Sequence, residues 1–152
     1  MARTHAARSY RQGWFVPRNP EKYRGDVTKI RYMSSWELKC DEFLDNSTSV
    51  LEWSSEELVI PYLKPTDGKV HRYFPDYWVK YRNRDGEIIE EVWEIKPSKE
   101  VSPPTRRGKR KKQQLYEQLT HAINIAKWKQ AQAFCNQRGW KFRILTEKEL
   151  FK

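Results

Sequence analysis

Tyr73-Phe74-Pro75-Asp76-Tyr77-Trp78-Val79-Lys80-Tyr81, followed after the Asp85-Gly86 turn by Glu91-Val92-Trp93-Glu94-Ile95-Lys96, is the stretch on which the reading of this chain depends. Residues i and i+2 of a strand point to one face. Glu94 and Lys96 therefore project together, and Ile95 points into the core. Asp-Gly is a hairpin signal, and a hairpin centred on Asp85-Gly86 returns the strand so that Asp76 lies near the level of Glu94. Two carboxylates and a lysine thus converge. Hard oxygen ligands of this kind suit Mg2+ or Mn2+. Such an ion neutralises phosphate charge and acidifies a bound water. Lys96 can orient or deprotonate that water, or stabilise transition-state charge. Each residue also has a plain structural reading, Asp76 as a turn cap and Glu94 with Lys96 as a solvated charge pair. A lysine lodged between a core isoleucine and Pro97 is an odd place for surface decoration.

Working outward, Ser34-Ser35-Trp36-Glu37 fits a capping box, and Trp36, Cys40, Phe43 and Leu44 recur at helical spacing to about Asp45. Strands are expected at Val50 to Trp53, Leu58 to Tyr62 (Pro61 marking an edge), Val70 to Phe74, Tyr77 to Tyr81 and Glu87 to Lys96, with a turn at Asp67-Gly68. A loop from Ser98 to about Lys112 leads into a helix from Gln113, with Leu115, Leu119 and Ile123 at i, i+4 and i+8 and Gly139 as its terminator. Trp140 to Leu145 reads as a strand, and Thr146-Glu147-Lys148-Glu149 as a second capping box. This order predicts an α/β domain, a central mixed sheet flanked by helices, over residues 32–152. Residues 1–31 read as a basic arm with its aromatics available to pin it to the domain.

The net charge of +10 is unevenly distributed. Residues 1–31 carry 8 Lys+Arg against 2 Asp+Glu, residues 32–96 carry 8 against 14, and residues 97–152 carry 14 against 4. Basic flanks attract a polyanion through counterion release, while an acidic centre tolerates phosphate only with a cation between. Arg106, Arg107, Lys109, Arg110, Lys111 and Lys112 form the densest basic run, in a loop just past the Glu94 strand, where contact with a DNA backbone is expected. Their alternative is a solubilising loop. Arg72 and His71 are further phosphate-contact candidates. Lys127 and Trp128 line either a DNA cleft or the core. His5 and His121 are read as incidental. Cys40 and Cys135 have no partner motif and are expected as buried thiols. No apolar run is long enough to cross a membrane, and no secretory signal is visible.

The pattern Pro75-Asp76 … Glu94-Ile95-Lys96 resembles that of the PD-(D/E)xK nuclease superfamily. The surrounding detail resembles its TnsA-like branch, and is still more similar to the head-completion nucleases of contractile-tailed phages. The likeness runs through Asn19-Pro20-Glu21-Lys22-Tyr23, Tyr32 with Ser34-Ser35-Trp36-Glu37, Ile60-Pro61-Tyr62 and His71-Arg72-Tyr73-Phe74-Pro75-Asp76, and covers the chain from about Gly13 onward. The resemblance implies a restriction-endonuclease-like core and Mg2+-dependent cleavage of DNA phosphodiesters, with Mn2+ as a substitute. It implies metal binding by Asp76, Glu94 and the Ile95 carbonyl, with Glu37 reaching the site from the first helix, and action of Lys96 on the attacking water. It implies a setting in phage assembly, processing DNA ends or branches as heads are finished, with head or portal components as partners. The expected location is the cytoplasm of the infected cell or the virion. Where relatives often carry arginine before the helix-opening serine this chain has Met33, so any phosphate contact made by that arginine has to come from Arg31 or elsewhere. Two alternatives stay open. One is a DNA-binding or capsid-associated protein that no longer cuts, which would have no reason to keep Asp76, Glu94 and Lys96 together. The other is a transposon-end-cleaving subunit, against which the short chain counts.

Overall fold

The computed structural model describes residues 9–151. In chain order it contains β1 (Gly13–Trp14), a 3-10 turn (Pro20–Lys22), β2 (Arg31–Tyr32), α1 (Ser35–Asn46), β3 (Val50–Ser55), β4 (Ile60–Lys64), β5 (Lys69–Tyr73), β6 (Tyr77–Arg82), β7 (Ile88–Ile95), α2 (Ser98–Val101), α3 (Lys111–Arg138), β8 (Lys141–Leu145) and α4 (Glu147–Leu150). β3, β6, β7 and β8 form a four-stranded sheet in that spatial order. The pairs β3–β6 and β6–β7 are antiparallel, and β7–β8 is parallel. A parallel partner needs a crossover, and α3 supplies it. The fold is therefore the mixed α/β sandwich expected from the residue pattern.

The two faces of the sheet have different cores. Trp36, Cys40 and Leu44 of α1 pack on Trp53, Val79, Trp93, Ile95 and Leu145. On the other face Trp128 and Ala131 of α3 pack on Ile60, Tyr62 and Tyr73, with Phe142 and Ile144 beside them. β4 and β5 pair only with each other, as Pro61 requires, since proline cannot donate to a second neighbour. The tight turns sit where glycine relieves the left-handed backbone, as at Gly86 (φ 81°) and at the α3 terminus Gly139 (φ 71°).

Several expectations change. From Ser9 on, the segment read as an arm is woven into the domain. β1 pairs with β2, Tyr23 and Ile30 are buried in the core, and the Tyr23 hydroxyl donates to the Ser55 carbonyl. Arg3, His5 and Arg8 lie outside the described residues. Asn19-Pro20-Glu21-Lys22-Tyr23 acts as a clamp on α1. Lys22 Nζ donates to the carbonyls of Leu44, Asp45 and Ser47 at 2.7, 2.9 and 2.7 Å, and Asp45 accepts the backbone N–H groups of Arg18 and Asn19. The last carbonyls of a helix lack intrahelical donors, and a cation there also complements the helix dipole. The loop 98–112 holds the short α2, and α3 begins at Lys111, two residues earlier than Gln113. Its first turn is held down by Gln114 Nε2 donating to the Arg106 and Lys109 carbonyls, and by the Lys109–Glu117 ion pair at 2.5 Å. Cys40 and Cys135 are buried and free.

Candidate active site

Asp76 stands at the break between β5 and β6, where Pro75 ends one ladder and a different sheet begins. Tyr77 pairs with Trp93, which sets Asp76 beside Glu94, and Asp76 Oδ2 accepts the Ile95 backbone N–H at 2.7 Å. Alternation along β7 puts Trp93 and Ile95 on the α1 side and Glu94 on the α3 side. Lys96 Nζ lies 3.8 Å from Glu94 Oε2. The convergence expected from strand spacing is thus present, and Ile95 contributes its side chain to the core.

Burial pushes the Asp76 carboxyl well above its usual range, and the neighbouring charges of Glu94, Glu37 and Glu56 add to this. Glu94 is raised by burial and partly restrained by the Tyr73 hydroxyl, Lys96 and Lys127. The Tyr73 hydroxyl donates to Glu94 Oε1 at 2.5 Å. Desolvation lowers Lys127, with Glu94 and Asp76 opposing it. Its ammonium lies 5.7 and 5.6 Å from the Tyr62 and Tyr73 ring centres. Lys127 therefore belongs to this site, and Trp128 to the core.

Glu37 serves both readings that its sequence position allows. Ser34 Oγ accepts the Glu37 backbone N–H at 3.3 Å. The Glu37 carboxylate takes the Ser34 hydroxyl and the backbone N–H of Met33, one residue before the usual capping-box partner. Its charge is felt by Asp76, Glu94 and Glu56, so it faces the site from α1. Arg31 is engaged at the surface by Trp14, Gln12 and Met33.

Arg72 and His71 do not join this group. β5 and β6 are in different sheets, so the even spacing from Arg72 to Asp76 carries no shared face. Arg72 lies over the Phe74 ring instead, and His71 contacts Asp67 at 2.7 Å near the hairpin turn. Two residues were missed. Tyr73 reaches Glu94 across 21 positions, which no local pattern reveals. Glu56 is the one non-glycine residue with positive φ (53°) among the described residues; its N–H donates to the Asp76 carbonyl at 3.1 Å, and Glu37 and Glu94 add to the burial that raises its carboxyl. A left-handed non-glycine backbone costs on the order of 1–3 kcal/mol and gathers at functional sites.

Among the described residues no three acidic or imidazole groups form a ready-made metal cage. The donor set still fits a hard cation. Two buried, mutually repelling carboxylates gain from a positive charge between them, and Mg2+ is ordinarily held by one or two carboxylates completed by water and substrate phosphate. A cavity of about 590 Å³ lies elsewhere, lined by Phe43, Trp93, Arg143, Leu145 and Leu150, on the α1 side of the sheet.

The mixed sheet with helices on both faces is that of a restriction-endonuclease-like core, and it carries Asp76, Glu94 and Lys96 together at the junction of β6 and β7. Residues 47–147 match the family model described as the TnsA-like endonuclease N-terminal domain, and the chain belongs to that family. It is 45% identical over 139 residues to the head completion nuclease of Enterobacteria phage T4, with 89% of this chain and 90% of that protein covered.

Proposed function

We propose that this protein is a divalent-metal-dependent DNA endonuclease that hydrolyses phosphodiester bonds in DNA ends or branches while a phage head is completed. The observation that carries the reading is the buried Asp76–Glu94 pair with Lys96 at its edge. The relative's name supports the setting, and head or portal components are the protein partners that the setting implies. Mg2+ is the resident ion, with Mn2+ able to replace it, held by Asp76, Glu94 and the Ile95 carbonyl, with Glu37 acting directly or through water. When bound, the ion neutralises phosphate charge and acidifies a coordinated water.

The remaining roles belong to the chain. Lys96 meets the attacking water and holds or takes its proton. Tyr73 fixes the Glu94 carboxylate in orientation by its short hydrogen bond. Lys127, partly desolvated and placed over two aromatic rings, offers its charge to the phosphate oxygens. Arg106, Arg107, Arg110, Lys111 and Lys112 contact flanking phosphates, which position the DNA and carry no base code. Lys109 is already committed to Glu117. Arg72 and His71 contact backbone farther out along the hairpin.

The test is incubation of the purified protein with Mg2+ and a panel of linear, forked and branched DNAs. Cleavage that stops in EDTA and returns with Mg2+ or Mn2+ supports the reading. Cleavage that persists in EDTA overturns the metal chemistry, and binding of every DNA without any cleavage identifies a protein that has lost the reaction.

A further inference from the structure

Alternation along the β4–β5 ladder sorts its residues onto two faces. Ile60, Tyr62 and Tyr73 pack on α3, so Lys64, Lys69 and His71, in step with them, share that inner face. Lys64 and Lys69 stand directly opposite each other as its last rung, about 7 Å beyond Tyr62 and His71. α3 forms the facing wall. Its Lys127 ammonium lies 5.7 and 5.6 Å from the Tyr62 and Tyr73 ring centres, and the charges of both Lys96 and Lys64 reach it. A row of cations therefore runs from Lys96, beside Glu94, through Lys127 to Lys64 and Lys69.

The row lacks matching acids. No Asp or Glu occurs in α3 from Gln118 to Arg138, and β4 and β5 contain none. Asp67, in the turn that joins them, is engaged by His71 and by the Lys69 backbone N–H. Among the described residues none of Lys64, Lys69 and Lys127 lies within ion-pair distance of a carboxylate. Like charges directly opposite on a ladder are destabilising. The acids that act on Lys127 are Glu94 and Asp76, the pair already assigned to a cation. What balances the row is an anion with charge repeated along its length, continuous with the site that takes a phosphodiester.

We propose that Lys64 and Lys69, with Lys127 facing them from α3, form a track for the phosphates on one side of the cut, so that the DNA strand leaves the active site along the inner face of the hairpin toward its tip. Cutting therefore needs at least two phosphates on that side, which favours internal bonds over terminal ones. The proposal rests on the nuclease reading in taking DNA as the occupant.

The experiment titrates duplex DNA with salt in EDTA, so that no bond is cut, and follows binding by fluorescence anisotropy. It compares wild type with Lys64→Gln/Lys69→Gln and with Lys39→Gln/Lys148→Gln, which removes the same charge from exposed positions on α1 and α4. The dependence of log affinity on log salt should flatten by about 1 for each track lysine removed, and little in the control. The melting temperature of Lys64→Gln/Lys69→Gln without DNA should equal or exceed that of wild type, because the opposed charges are gone. A lower melting temperature would make these lysines structural and overturn the track. A slope unchanged, or changed only as in the control, would overturn it too. With Mg2+, an uncharged methylphosphonate at one of the first two linkages on one side of the cut should slow wild type and leave the double variant unaffected, since contacts that share a partner are not additive. Equal slowing of both proteins at every linkage counts against the track. The nuclease reading is scored separately: a flattened slope without cutting in Mg2+ removes the nuclease and leaves the track, whereas cutting with an unchanged slope does the reverse.

Discussion

The Asp76 carboxylate accepts the backbone N–H of Ile95 through Oδ2 at 2.7 Å, across the seam between β6 and β7. One oxygen of a buried acid is thereby spent on holding the side chain in place, and its charge is held beside that of Glu94. The asparagine in Asp76→Asn can present its amide oxygen to the same N–H, whereas Asp76→Ala strands a buried donor at a cost of about 1–3 kcal/mol. Both variants, like Lys96→Ala, should lose cleavage while retaining DNA binding. In EDTA, Asp76→Asn should melt above the wild type because the repulsion with Glu94 is gone, and Asp76→Ala should melt below Asp76→Asn. Full cleavage by either variant removes Asp76 from the reaction.

Glu37 is both cap and neighbour of the acids, and Glu37→Gln separates the two. Glutamine also serves in a capping box, so the melting temperature should change little. Loss of a charge acting on the metal or its waters should lower the cleavage rate between about ten- and a hundred-fold. Wild-type activity in this variant would leave Glu37 as a cap alone.

Tyr73→Phe removes one hydroxyl and the bond that helps keep Glu94 ionised. The Glu94 carboxyl then rises further, so Mg2+ should bind more weakly at a given pH. The acidic limb of the rate–pH profile should move to higher pH. Calorimetric titration of Mg2+ at several pH values checks this, and an unmoved limb would reduce Tyr73 to packing.

Asp41, Asp76 and Glu94 all hold protons more tightly folded than unfolded, chiefly because burial disfavours the anion. Asp41 is pushed up to about 7. As pH rises the unfolded chain releases these protons first, so stability falls between the ordinary carboxylate range and the folded values. Metal-free protein should therefore be most heat-stable near about pH 5 and lose stability through pH 7. Mg2+ should recover the part of that loss due to Asp76 and Glu94. A melting temperature that rises steadily from pH 5 to 8 in EDTA would contradict this.

Replacing Arg106, Arg107, Arg110, Lys111 and Lys112 by serine should flatten the dependence of log affinity on log salt by a few units, at about 0.9 per phosphate contact on duplex DNA. Binding should weaken equally on all sequences, and saturating DNA at low salt should restore much of the rate. Lys109→Ser should change the slope little, because that ammonium is committed to Glu117. Salt titrations by fluorescence anisotropy decide it. An unchanged slope in the five-fold variant would place the basic surface elsewhere.

The order of elements and the meeting of Asp76, Glu94 and Lys96 were legible in the residues themselves. Strand alternation has a period of two, helical spacing has its own period, and an Asp-Gly turn sets which residues of adjoining strands face each other. These are properties of neighbours in the chain, so local chemistry suffices. The capping box at Thr146 formed as its sequence indicated for the same reason.

What only the tertiary structure decided were contacts between segments far apart in sequence. Lys22 closes α1 from 22 residues away, Tyr73 holds Glu94 across 21, and α3 delivers Lys127 to the rings of Tyr62 and Tyr73. Arg72 shares no face with Asp76, because the break at Pro75 moves the chain from one sheet to another, which resets the facing of its side chains. Glu56 was invisible because its backbone conformation is left-handed, a state that a glutamate adopts only where its surroundings impose it. Local periodicity states which face a residue takes on its own element; the packing of elements against one another states what that face meets.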